Sequence, residues 1–207
     1  DTDISVDSGF NVPGLGVTIP GKDADGNLIN KPLAGLIRRF DNVDLTGNSR
    51  QGKLLSNAPV WAILLRNESA GVLAKRCLAL CQVGQGYQCI EAVSGYTTAL
   101  YDHPCVAIDP WLSTTVADDD FFWGIFRGPA ILTLPSSGSD ILASGVAGRT
   151  PLVASADDYG RPTPIATISG AHADAAAAIF GTAMHTFSNS DTDDEINVLM
   201  HCPWFPT

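Results

Sequence analysis

The sequence is poor in charge, and poorest in positive charge. Charged residues fill 16% of its 207 positions, with 12 Lys and Arg against 22 Asp and Glu, for a net charge of −10. Phosphate binding needs clustered Lys and Arg, so this balance argues against a nucleic-acid partner. Long hydrophobic runs are missing too. The longest, such as Val60-Trp61-Ala62-Ile63-Leu64-Leu65, are far too short to span a bilayer as a helix, and no membrane partner is expected. No basic-then-apolar leader opens the chain. Asp1 reads either as a processed end or as the first residue of a renumbered chain.

A cysteine framework is absent as well. The five cysteines (Cys77, Cys81, Cys89, Cys105 and Cys202) are odd in number and share no repeated spacing. On a strand, Cys77 and Cys81 would share a face at a separation that forbids a bond between them. The expectation is free, buried thiols made in a reducing cytoplasm.

Catalytic and metal motifs are equally scarce. No Gly-x-Ser-x-Gly elbow occurs, and the serines beside glycines (Ser94, Ser137, Ser144, Ser169) read as turn residues. A Cys-His dyad has two candidates. His201 and Cys202 are adjacent, so on a strand they face opposite ways. His103 and Cys105 lie in a Tyr-Asp-His-Pro-Cys stretch that reads more simply as a turn. Cys77-x3-Cys81 has no second close pair to complete a zinc site. A calcium loop centred on Gly26 fails at both ends, with Gly21 first and Pro32 twelfth. Gly14-Leu15-Gly16 lacks the third glycine of a phosphate loop. The carboxylate clusters Asp118-Asp119-Asp120 and Asp191 to Glu195 read as solvated loop tips, with a structural cation at a symmetry axis as the alternative. Asn67-Glu68-Ser69 matches a glycosylation acceptor, which matters only in a secreted protein. The reading is therefore no enzyme, no cofactor and no metal site.

What remains is apolar content and turns. Hydrophobic residues make up 45% of the chain, enough for one substantial core. Charge is uneven along it. Residues 1–76 hold nine basic and eight acidic residues, a balance of +1, while residues 77–207 hold three and fourteen, a balance of −11. Residues 1–50 are rich in Gly, Asp, Asn and Pro and read as an extended arm that needs a partner surface to be ordered. Within it, Asp25-Gly26 marks a hairpin turn between Val17-Thr18-Ile19 and Leu28-Ile29. Leu33 to Phe40 reads as one or two turns of helix.

From residue 51 short apolar runs alternate with turn residues. They are Pro59–Arg66, Val72–Val83, Ala92–Tyr101, Cys105–Asp109, Phe121–Arg127, Ala130–Leu134, Pro151–Val153, Pro164–Ile168 and Ile196–Met200. The aromatic run Phe121-Phe122-Trp123-Gly124-Ile125-Phe126 is the strongest strand signal. The alanine cluster from Ala171 to Met184 favours helix, and Gly181 with the following His185-Thr186-Phe187 favours a short helical turn passing into strand. With Ser188 to Glu195 as a polar turn, the last two strands make a closing hairpin. The expected fold is mainly β, a small β-barrel or β-sandwich over residues 51–207, preceded by the arm at 1–50.

Four pieces, in order, carry a resemblance. The first is Leu64-Leu65-Arg66-Asn67-Glu68-Ser69-Ala70-Gly71-Val72-Leu73-Ala74. The second is Val106-Ala107-Ile108-Asp109-Pro110-Trp111-Leu112 leading to Asp118-Asp119-Asp120-Phe121-Phe122-Trp123. The third is Gly128-Pro129-Ala130. The fourth is Ala178-Ile179-Phe180-Gly181-Thr182-Ala183-Met184 followed by Ile196-Asn197-Val198-Leu199. Over roughly residues 60–200 the chain resembles tailed-bacteriophage capsid decoration (cement) or head-surface proteins. The resemblance implies a β-rich knob, often a homotrimer, made in the host cytoplasm. It would bind the major capsid protein on the outer surface of the virion and lock neighbouring capsomers, with no active site. The arm's Arg38, Arg39, Phe40 and Arg50 are the expected capsid- or subunit-binding residues, meeting an acidic shell while the acidic remainder faces solvent. Other structural roles (major shell protein, tail tube, adhesin) stand as alternatives. A hydrolase using His103, His172, His185 or His201 is the remaining one.

Overall fold

The computed structural model describes residues 14–28, 34–40, 59–82, 88–90, 105–134, 150–154, 160–164, 179–184 and 195–202, with backbone alone at 82 and 88–90. Ten strands lie in these stretches: β1 (Ile37–Phe40), β2 (Val60–Asn67), β3 (Leu78–Gln82), β4 (Gln88–Ile90), β5 (Cys105–Ile108), β6 (Phe121–Thr133), β7 (Pro151–Ala154), β8 (Pro162–Pro164), β9 (Gly181–Ala183) and β10 (Glu195–His201). No helix occurs among the described residues. The protein is mainly β.

The strands form one sheet in the order β1-β2-β4-β3-β5-β6-β10-β9-β7-β8, and β2 also pairs with β6. These two stand four places apart in that order, so the sheet must curl to bring them together. Among the described residues it is not a closed barrel, because β1 and β8 remain as its ends. All pairings are antiparallel except β2–β4.

Curling buries both faces, and the strand sequences show it as unbroken apolar runs rather than alternation. On β2, Ala62 and Leu64 join one core cluster with Leu78, Ala107, Trp123, Ile125, Leu132, Leu152 and Val198. Ile63 and Leu65 join the other, with Ala79, Cys81, Val106, Ile108, Phe122 and Phe126. Gly124 on β6 lets this second layer pack closely. A Cβ there would stand 2.6 Å from Val106 Cγ2 and 3.0 Å from Leu65 Cδ1.

The two runs expected around Gly128-Pro129 are one strand. β6 runs 13 residues, pairing with β2 over Phe121–Arg127 and with β10 over Arg127–Thr133. The β2–β6 register shifts by one residue between Trp61 and Ala62, a bulge that bends the strand from one partner to the other. Gly128 sits beside it at φ +99°, and a Cβ there would lie 2.4 Å from Pro59 O. Glycine is required on both counts.

Several other expectations are met. The Asn67–Gly71 turn, β5, β7 and β10 fall where the apolar runs placed them. β9 pairs antiparallel with β10, but it lies in the stretch expected to be a helical turn; the strand expected at residues 185–187 lies outside the described residues. The Asp25-Gly26 turn is present, with Lys22 bridged to Leu28 and Gly26 at φ +81°. The expected strand at Ala92–Tyr101, the alanine cluster at 171–178 and the polar turn at 188–194 lie outside the described residues.

Two expectations for residues 1–50 change. Leu33 to Phe40 contains no helix over its described part: Ala34-Gly35 turns and Ile37–Phe40 is strand β1, paired in register with Val60–Ile63. The described pieces of the arm also have their partner surface within the same chain. Ile19 bridges Phe121, donating at 2.9 Å and accepting at 2.8 Å. Gly35 N and Leu36 O continue the β1 ladder onto Leu64 at 2.8 Å each.

Candidate interaction surface

The seat of the N-terminal segment is built from the loops that precede β6. Gly21 N donates to Asp120 Oδ1 at 3.1 Å. Lys22 Nζ lies 2.6 Å from Asp119 Oδ2 and 3.4 Å from Asp118 Oδ2. Arg66, on β2, pairs with Asp119 from the other side and reaches Glu68 at 3.4 Å. The Lys22 hydrogen bond, with help from Arg66, holds the Asp119 carboxyl below its usual range. Asp119 is at φ +70°, and its carboxylate meets both cations. The Asp118-Asp119-Asp120 run is therefore a clamp on the arm, where the sequence suggested a solvated loop tip. Among the described residues no group of three or more His, Cys, Asp or Glu is placed to hold a metal ion.

A second clamp sits one loop earlier. Asp109 is fully buried. It accepts hydrogen bonds from Gly16 N and, at 2.9 Å, from Trp111 N. Burial outweighs these two bonds and pushes its carboxyl up to about 6. Asp23 does a local version of the same work in the exposed turn. Its oxygens accept from Asp25 N at 2.9 Å and Asn27 N at 2.8 Å, and the Asn27 bond draws its pKa down. Those oxygens serve the turn, which Asn27 Nδ2 also joins at 3.3 Å.

Asn67 resolves the glycosylation signature. It is fully buried at the end of β2. Its Nδ2 donates to Gly71 O at 2.8 Å, Ala117 O at 2.9 Å and Val116 O at 3.2 Å, while its Oδ1 accepts from Ser69 Oγ at 2.7 Å. The amide nitrogen that a sugar would occupy ties the β2 turn to the loop before β6.

The residues expected to meet a partner divide. Arg38 and Arg39 are exposed on β1, at one end of the sheet. Each guanidinium lies over an aromatic ring, Arg38 at 5.3 Å from the centroid of Phe40 and Arg39 at 5.9 Å from that of Trp61. These rings hold the arginines out along the edge instead of leaving them as loose tethers. Phe40 is half-buried and packs edge-on to Trp123, with centroids 5.1 Å apart and planes at 81°. It anchors β1 to the core and is not offered whole to a partner, because its register mate Val60 places it over that core. Arg50 lies outside the described residues. So do His103, His172 and His185, and His201 is exposed on β10. Sequence reasoning missed Lys22, Arg66, Asp109 and Trp61, whose partners lie too far along the chain for spacing to reveal.

The thiols are as expected where described. Cys77, Cys81, Cys105 and Cys202 are buried and in no disulfide. Burial pushes the Cys81 thiol up to about 12, with Cys202 nearby adding to the rise.

No protein-family model matches this chain, and no curated protein matches it.

Proposed function

We propose that this chain is a non-enzymatic structural protein of a tailed-phage virion, a decoration protein that binds the outer surface of the capsid and stabilises contacts between capsomers. The observation that carries this reading is β1, a strand at the end of the sheet with two exposed arginines on a chain of net charge −10. An end strand offers main-chain hydrogen bonds to an extended segment of a partner. Two fixed positive charges select an acidic segment, and the strongly acidic remainder of the chain disfavours any other approach. The partner is the major capsid protein, with copies of the chain meeting as a homotrimer, the closed symmetry such knobs adopt.

The test is solution mass by light scattering, followed by pelleting with bare expanded capsids assembled from the major capsid protein of the same genome. A species near three times 21.8 kDa that pellets with shells, and is released by salt, supports the reading. Protein that stays in the supernatant at saturating shell refutes it. Rings or filaments formed by the protein alone would point to a tail tube. Deleting residues 1–50 is a poor test, since it removes β1 and the Ile19 bridge with the rest of the arm.

A further inference from the structure

Cys81 on β3 and Cys89 on β4 stand directly opposite each other in an antiparallel ladder, between the pairs Leu80–Ile90 and Gln82–Gln88. Opposed residues in such a ladder have Cα atoms about 4.5–5.5 Å apart. A disulfide spans about 4.4–6.8 Å between Cα atoms, so the spacing of an opposed pair is within its range. The position of Cys89 is set from both sides, because β4 also pairs with β2 and places Cys89 opposite Asn67. Asn67 is itself fixed by its buried side-chain bonds.

We propose that Cys81 and Cys89 form a disulfide across the β3–β4 pair when the chain folds under oxidising conditions. The oxidant is a small-molecule disulfide such as oxidised glutathione. The thiolate of one cysteine attacks a glutathione sulfur, forming a mixed disulfide and expelling one glutathione thiolate. The second cysteine's thiolate then attacks the protein sulfur of that mixed disulfide, forming the Cys81–Cys89 bond and expelling the second glutathione. The two protons lost by the protein thiols go to the two departing thiolates. Two protein thiols are oxidised and one small disulfide is reduced to two thiols. Cys81 is fully covered in the folded chain, so the exchange takes place during folding, before that cover is complete. Cys202, near enough to interact with Cys81, is the competing partner. This inference is independent of the shell-binding reading.

The experiment is refolding of the full chain in a glutathione redox buffer, denaturation in iodoacetamide, and non-reducing mass spectrometry. Chymotryptic cleavage after Tyr87 separates the two cysteines; no Lys or Arg lies between them. The expected result is three alkylated cysteines out of five, a Cys81–Cys89 linked peptide, and an unfolding midpoint that falls on adding reductant. Cys89→Ser should show four alkylated cysteines and no link, with native tryptophan fluorescence confirming its fold. Cys202→Ser should keep the link. Five alkylated cysteines in the refolded native chain would overturn the proposal, as would a Cys81–Cys202 link or a link that survives in Cys89→Ser.

Discussion

Replacing Asn67 by alanine removes the side chain that joins the β2 turn to the loop before β6. The amide has two hydrogens and three carbonyl acceptors within 3.2 Å, so at least one hydrogen is shared. Two of those carbonyls keep a main-chain donor after the change: Val116 O accepts from Leu73 N, and Ala117 O from Asp120 N. Gly71 O keeps Ser69 Oγ at 3.1 Å. The loss is therefore the amide's own bonds rather than three orphaned carbonyls: two hydrogens shared among three carbonyls, and an Oδ1 that accepts from Ser69 N and Ser69 Oγ, or about 3 kcal/mol in all for these mostly part-buried contacts. That is a large part of the roughly 5–15 kcal/mol that holds a domain together. Asn67→Asp should cost more at neutral pH, because a carboxylate has no hydrogens to donate and faces three carbonyl oxygens. Ser69→Ala should cost about 1 kcal/mol or less, since its bonds lie at the surface end of the turn. The assay is urea unfolding followed by tryptophan fluorescence, with the slope of the transition checked for constancy. A loss below about 1 kcal/mol for Asn67→Ala would refute the claim that this amide is the tie.

Asp109 makes stability depend on pH. Its folded pKa of about 6 stands above the ordinary 3.8, so the folded chain holds this proton more tightly than the unfolded one. The contribution is fully present below the ordinary value and is lost as pH rises through about 6. It amounts to at most about 3 kcal/mol. Urea midpoints of wild type and Asp109→Asn should therefore converge or cross between acid and neutral pH, and a constant gap would contradict the assignment. Gly128→Ala should lose about 2 kcal/mol or more, from a backbone only glycine adopts freely and a clash with Pro59 O; a midpoint equal to wild type would show that the bulge is dispensable. Lys22→Ala should leave the β domain folded while raising protease sensitivity near residues 14–28, because it removes the salt bridges that clamp this segment to Asp118 and Asp119. An unchanged digestion pattern would contradict the clamp.

The β character of the chain was legible because β2, β5 and the first half of β6 are continuous apolar runs rich in β-branched and aromatic residues. The misreadings share a cause. In Leu33 to Phe40 the apolar residues Leu33, Leu36, Ile37 and Phe40 recur at helical spacing. In the structure Ile37 and Phe40 lie on opposite faces of a strand, and each finds a core there, because the curled sheet buries both sides. Gly128-Pro129 read as a break because its bulge is defined by a partner strand some 60 residues away. The N-terminal segment read as an extended arm in need of a partner surface, and which surface its described part meets was not legible, because its ties, Gly16 to Asp109 and Gly21 to Asp120, span 93 and 99 residues. Local sequence carries propensity and period; it does not carry which distant carboxylate receives a given N–H. Arg38 and Arg39 were legible as exposed cations. Their placement over Phe40 and Trp61 was not, since Trp61 becomes the neighbour of Arg39 only through the β1–β2 register.

If the β1 edge binds an acidic shell, the double variant Arg38→Glu, Arg39→Glu should no longer pellet with bare expanded capsids. Both side chains are exposed, so the variant should fold with a native fluorescence spectrum and a stability within about 1 kcal/mol of wild type. It should stay in the supernatant under conditions where the wild-type chain pellets with the shells. A folded variant that pellets as well as wild type would contradict shell binding by this edge.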